Sequence, residues 1–97
     1  MSNKYLNKLK TLISEYYRKE EATIILFGSR ARREYSEHSD VDVGILTSGK
    51  PDNAKITLLK EAIEDSNIPY KVDIISINEA SEDFKNEIMK DAIVWNE

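Results

Sequence analysis

The 97-residue chain sets 14 Lys and Arg against 18 Asp and Glu, a formal net charge of -4, with 40% hydrophobic and 33% charged residues. That describes one small soluble α/β-sized domain over residues 1–97, near the low end of what folds alone, and its acidity opposes nonspecific contact with a polyanion, so no direct nucleic-acid binding is expected. The absence of cysteine and the single histidine exclude disulfide frameworks, thiolate metal sites and multi-histidine zinc sites. No run approaches the roughly 18 apolar residues of a spanning helix and no apolar leader opens the chain, so a cytoplasmic protein without a membrane partner is expected.

In chain order, residues 3–19 carry Leu6, Leu9, Ile13, Tyr16 and Tyr17 at helical spacing, with Lys4, Lys8, Lys10, Glu15 and Arg18 on other faces, which predicts an amphipathic helix covering a sheet. Residues 23–27 are apolar and rich in β-branched side chains, a buried strand that stops at Gly28. Gly28 lets bare backbone approach a ligand, and the Ser29 hydroxyl can cap a short helix, a geometry suited to phosphate. Arg30, Ala31, Arg32 and Arg33 read as one helical turn. Their guanidinium groups either balance nearby acids in solvent or help to hold a triphosphate, for which the fork of donors is suited, and Arg30 is the best placed. His38 falls in a polar loop and is left out of the site.

Ser39-Asp40-Val41-Asp42-Val43-Gly44-Ile45 alternates as a strand, with Asp40 and Asp42 on one face and Val41, Val43 and Ile45 on the core face. Adjacent carboxylates repel and tend to take up protons unless a cation sits between them. Magnesium, a hard cation held by one or two carboxylates together with substrate phosphates, relieves this. Gly44 with Gly49-Lys50 has the spacing of a P-loop, but Pro51 stands where the magnesium-binding hydroxyl belongs, and the match is set aside. After the turn formers at residues 48–53, Ile56, Leu59 and Ile63 predict a second covering helix. Residues 68–76 read as a third strand with Val72 and Ile74 opposite Asp73. Phe84, Ile88 and Met89 mark a last helix, capped by Asn78 or Ser81, and residues 92–95 a short final strand with Trp95 in the core or at the sheet edge. The order predicts an α/β (α+β) domain with a mixed sheet of about four strands and its helices on one side.

Gly28-Ser29, a ten-residue spacer and Asp40-Val41-Asp42 resemble the signature of the DNA polymerase β-like nucleotidyltransferase superfamily, and the fuller string GSRAR…SDVDVGI is similar to its minimal nucleotidyltransferase branch, small proteins usually paired with a HEPN-domain protein. The resemblance runs from the strand at Thr23 to about Trp95. It departs from the family at Arg33, where glycine is usual; arginine resists positive φ. The resemblance implies a third carboxylate from a neighbouring strand, at Asp73, which would help to bind metal and draw the proton from the attacking hydroxyl. It further implies two magnesium ions at Asp40, Asp42 and Asp73, ATP as donor at Gly28, Ser29 and Arg30, and a tyrosine of a HEPN ribonuclease toxin as acceptor, which makes this chain the antitoxin. Two alternatives stay open: an ATP-binding antitoxin that neutralises its partner by contact alone, and a nucleotidyltransferase for a small acceptor such as an aminoglycoside. The superfamily's larger members add a domain for the acceptor or template, which is expected here to be recognised from elsewhere.

Overall fold

The computed structural model describes residues 4–32 and 40–96. The expectations for Arg33, His38 and the rest of residues 33–39 fall outside the described residues. The elements run α1 (Lys4–Tyr16), β1 (Ala22–Phe27), α2 (Ser29–Arg32), β2 (Val41–Thr47), α3 (Asn53–Glu64), β3 (Val72–Ser76), a 3-10 turn (Ile77–Glu79), α4 (Glu82–Asp91) and β4 (Ile93–Val94).

The four strands form one mixed sheet in the order β3-β2-β1-β4. β1 pairs antiparallel with both β2 and β4, while β2 and β3 run parallel. A parallel pair needs a crossover, and α3 supplies it. α3 starts where Asp52 accepts a hydrogen bond from the Lys55 amide, and α4 where Ser81 does the same for Phe84. Asn78, the other expected cap, serves the sheet instead: its side-chain amide donates to the Thr47 carbonyl and accepts from the Thr47 amide, completing the end of β2. Asn96 does the same beyond β4, accepting from Ile24 N and donating to Ala22 O.

The helices do not all pack on one side. α1 and α3 cover one face through Leu9, Ile13, Ile56, Leu59 and Ile63, buried against Ile24, Leu26, Val41, Val43 and Ile45. The opposite face carries a smaller core of Ile25, Ile77 and Ile88, built from the 3-10 turn and α4. The reason lies in β1: its unbroken run Ile24-Ile25-Leu26 presents apolar side chains to both faces, the pattern of a strand covered twice rather than once. Of the expected α4 stripe only Ile88 is buried; Met89 is exposed. β3 begins at Val72 rather than at Ile68, because Pro69 cannot donate to a ladder and holds the segment before it out of the sheet.

Gly44 owes its identity to this second core. A Cβ there would sit 2.7 Å from Ile77 Cγ1, closer than packed atoms tolerate, and Gly44 lies in the middle of β2 rather than in a phosphate loop. Gly44→Ala should therefore push Ile77 aside at about 1–3 kcal/mol, the usual cost of overpacking. Thermal denaturation of the variant should show a lower Tm, with ATP binding retained.

Candidate active site

The site is built on one row across the sheet. In register, Phe27 of β1 faces Asp42 of β2, and Asp42 faces Asp73 of β3. Because side chains alternate along a strand, burial of Val41 and Val43 under α1 and α3 turns Asp42 to the opposite face, and Ile74 does the same for Asp73. The two carboxylates thus stand side by side on neighbouring strands, half-buried. α4 and Ile77 cover the next row along this face but leave the carboxylate row open. A hydrogen bond from the Val41 amide to the Lys71 carbonyl, 2.9 Å long, locks the entry of β2 to that of β3.

Burial raises the Asp42 pKa above its ordinary value, and the Asp73 and Asp40 charges add to the rise; Lys71 and Arg32 oppose it. Asp40, predicted to share the strand, lies one residue ahead of β2 and is exposed. It acts on Asp42 through its charge, and no three acidic groups among the described residues close into a preassembled cluster. The donor set nonetheless fits magnesium: all oxygen, paired on a half-open surface, with a third carboxylate nearby. That ion needs only one or two carboxylates, the rest of its shell being water and phosphate.

Gly28 lies against the Asp42 carboxylate, on the side away from Asp73. Its φ is +75°, in the left-handed region that a side chain disfavours, and a Cβ there would overlap the Asp42 carboxylate. The glycine both turns the chain sharply out of β1 and leaves the carboxylate its space. Ser29 follows as the first residue of α2, half-buried. Arg30 is placed differently from a solvated phosphate ligand: it is 4% exposed, with its guanidinium 4.5 Å over the Tyr70 ring. Tyr70 in turn meets Tyr5 of α1 edge to face. Arg32 pairs with Asp91 of α4 at 3.5 Å, both side chains about two-fifths exposed, a contact worth at most about 1 kcal/mol.

A groove of about 720 Å³ opens beside the carboxylates, lined by Phe27, Asp42, Asp73, Ile75 and Phe84, and continues round the edge of β3 to Tyr70 and Lys71. Sequence reasoning missed Tyr70, Lys71 and Phe84. Pro69 was the available signal for the first two, since it marks where the strand cannot yet have begun. Phe84 was read only as part of an apolar stripe. A second cavity, of about 350 Å³, lies on the other face between α1 and the segment after β4, lined by Lys10, Ser14, Arg18 and Trp95, and has no carboxylate in its wall.

The family model described as "Polymerase beta, Nucleotidyltransferase" matches residues 7–96, which include every element of this site. The chain belongs to that family of nucleotidyltransferases. A relative from Haemophilus influenzae, described as a probable protein adenylyltransferase MntA, is 33% identical over 89 residues, 92% of this chain and 73% of its own length. Among solved structures, a toxin-antitoxin complex with AMP-PNP contains a chain of the same fold, with a TM-score of 0.74 at 23% identity, covering 94% of this chain and 73% of that one. A tri-AMPylated Shewanella oneidensis HEPN toxin in complex with MNT antitoxin contains another, with a TM-score of 0.64 at 20% identity, covering 100% of this chain and 74% of that one. These two likenesses are of fold. Among the described residues no helix is long and apolar enough to cross a membrane.

Proposed function

We propose that this chain is an antitoxin that transfers AMP from ATP to a tyrosine hydroxyl of a HEPN-domain partner. The observation that carries the reading is the pairing of Asp42 with Asp73 on adjacent strands, with a left-handed Gly28 against Asp42. One carboxylate is thereby available to the donor phosphates and another to the incoming hydroxyl. The Haemophilus relative's description as a protein adenylyltransferase, and the AMP-PNP and AMPylated HEPN toxin in the complexes of like fold, support the choice of donor and partner. A cytoplasmic location accompanies that partnership.

In this reading Gly28 and Ser29 cradle the triphosphate at the end of β1, where no side chain keeps the phosphates from the backbone. Arg30 adds positive charge from a guanidinium anchored on Tyr70. Asp40, Asp42 and Asp73 would hold two magnesium ions, which when bound neutralise phosphate charge and steady the entering and leaving oxygens. Asp73, on the edge strand, accepts the proton of the acceptor hydroxyl. That oxygen forms a bond to the α-phosphorus as the bond from the α-phosphorus to the bridging oxygen breaks, and pyrophosphate departs with the electron pair.

Asp73→Asn separates binding from chemistry. Donor affinity, measured by calorimetry with magnesium and ATP, should fall less than about tenfold, because the phosphates are held mainly from β1 and β2. Transfer to the partner, followed by intact mass, should fall about 10²- to 10⁴-fold, the usual contribution of a positioned general base. A variant that retains both at wild-type level would make Asp73 an ordinary solvated strand residue and remove the base from this scheme.

A further inference from the structure

The proposed reaction leaves open how the acceptor is recognised, and the groove bears on it directly. Strand order places Asp73 on the sheet edge, Asp42 inside it and the Gly28 turn on the far side of Asp42. With the triphosphate at Gly28, an in-line hydroxyl has to arrive from the opposite side, across β3. The groove opens there, running from Asp42 over Asp73 and round the β3 edge to Tyr70 and Lys71. At about 720 Å³ it lies within the range that encloses a drug-sized molecule, enough for a side chain with its flanking residues.

Two phenylalanines, Phe27 and Phe84, stand in its wall beside the carboxylates. Phe84 is 44% exposed although Ile88, one turn further along the same helix, is buried. The ring is nevertheless held in place: it meets Phe27 edge to face, with centroids 6.3 Å apart and planes at 82°. Phe27 is the register partner of Asp42, so the aromatic pair stands beside the reacting carboxylates. A half-exposed phenylalanine held at the mouth of a carboxylate groove offers a ring face to a planar apolar group.

Resting on the transfer reaction proposed above, we propose that Phe84, backed by Phe27, is the specificity-determining contact for the acceptor, and that it receives the aromatic ring of the tyrosine whose hydroxyl is modified. The backbone on either side of that tyrosine lies along the open edge of β3. Phe84 thus selects a phenolic hydroxyl over the hydroxyl of serine or threonine, which carry no ring for it to receive.

The test uses the full chain, its HEPN-domain partner, ATP and magnesium, and compares wild type with Phe84→Ala and Phe84→Tyr. Phe84→Ala should raise KM for the partner about tenfold, the effect of losing one aromatic pair, while kcat and the calorimetric Kd for ATP stay within about twofold. Phe84→Tyr, which keeps the ring, should restore KM. If Phe84→Ala instead weakens ATP binding and leaves KM for the partner unchanged, the ring stacks on the nucleobase and the assignment is overturned. It is overturned equally if neither quantity moves. A wild-type chain that binds ATP yet modifies no partner defeats the transfer reaction itself, and the Phe84 assignment with it.

Discussion

Replacing Asp42 by Asn should lower nucleotidyl transfer by about 10²- to 10³-fold, because it removes a charge from the centre of the carboxylate row while keeping its shape. Charge stabilisation at a transferring phosphoryl group is worth several kcal/mol, and that converts into such a factor. The fold should survive, since the side chain is half-exposed and the buried neighbours Val41 and Val43 are untouched. Without divalent cation the variant should in fact melt higher at neutral pH. The sign follows from the raised pKa of Asp42: burial and the adjacent Asp73 and Asp40 charges make the folded state hold its proton more tightly than the unfolded chain does. As pH rises above the ordinary aspartate range and through the folded-state pKa, ionisation costs wild type stability. Asn never ionises. The advantage should therefore vanish in acid, below the ordinary aspartate range, where both proteins are neutral at this position. Tm measured against pH in EDTA checks this, and equal curves at neutral pH would show that Asp42 is solvated well enough to ionise freely.

Gly28→Ala should damage both stability and activity. A left-handed backbone costs a residue with a Cβ about 1–2 kcal/mol, which for a domain of this size lowers Tm by roughly 5–15 °C. The new methyl group also overlaps the Asp42 carboxylate, so that side chain has to leave the row it shares with Asp73. Transfer should consequently fall at least as far as in Asp42→Asn, even at temperatures where the variant is fully folded. Circular dichroism melts and transfer assays on the same preparation check the two effects separately. A variant with normal Tm and normal transfer would mean that the turn can relax, and that Gly28 is not needed for the carboxylate geometry.

Much of this architecture was legible in the sequence because the relevant signals are local. The alternation from Asp40 to Ile45 turned Asp42 away from the core, and Ile56, Leu59 and Ile63 recurred at helical spacing; those side chains are buried where the periods put them. Less legible was whatever depends on two elements meeting. The β1 run was read as buried, but only the packing of Ile77 and Ile88 onto Ile25 reveals that both sheet faces are covered. Arg30 was legible as the arginine best placed to hold a triphosphate beside the turn, but its burial against Tyr70, forty residues away in sequence, was not. Asp73 next to Asp42 is likewise a matter of strand register, which a single chain read in order does not state. The family resemblance pointed to a third carboxylate there, whereas the Gly28 overlap with Asp42 and the pairing of Phe84 with Phe27 needed coordinates.

Intact mass spectrometry of the HEPN-domain partner tests the central claim most directly, after incubation with this chain, magnesium and ATP, beside a parallel reaction containing Asp42→Asn. The account predicts that the wild-type reaction adds one or more AMP masses to the partner, that fragmentation places them on tyrosine, and that the Asp42→Asn reaction adds little or none in the same time. A partner that stays unmodified while wild type binds both it and ATP would contradict the account, and would leave an antitoxin that acts by contact alone.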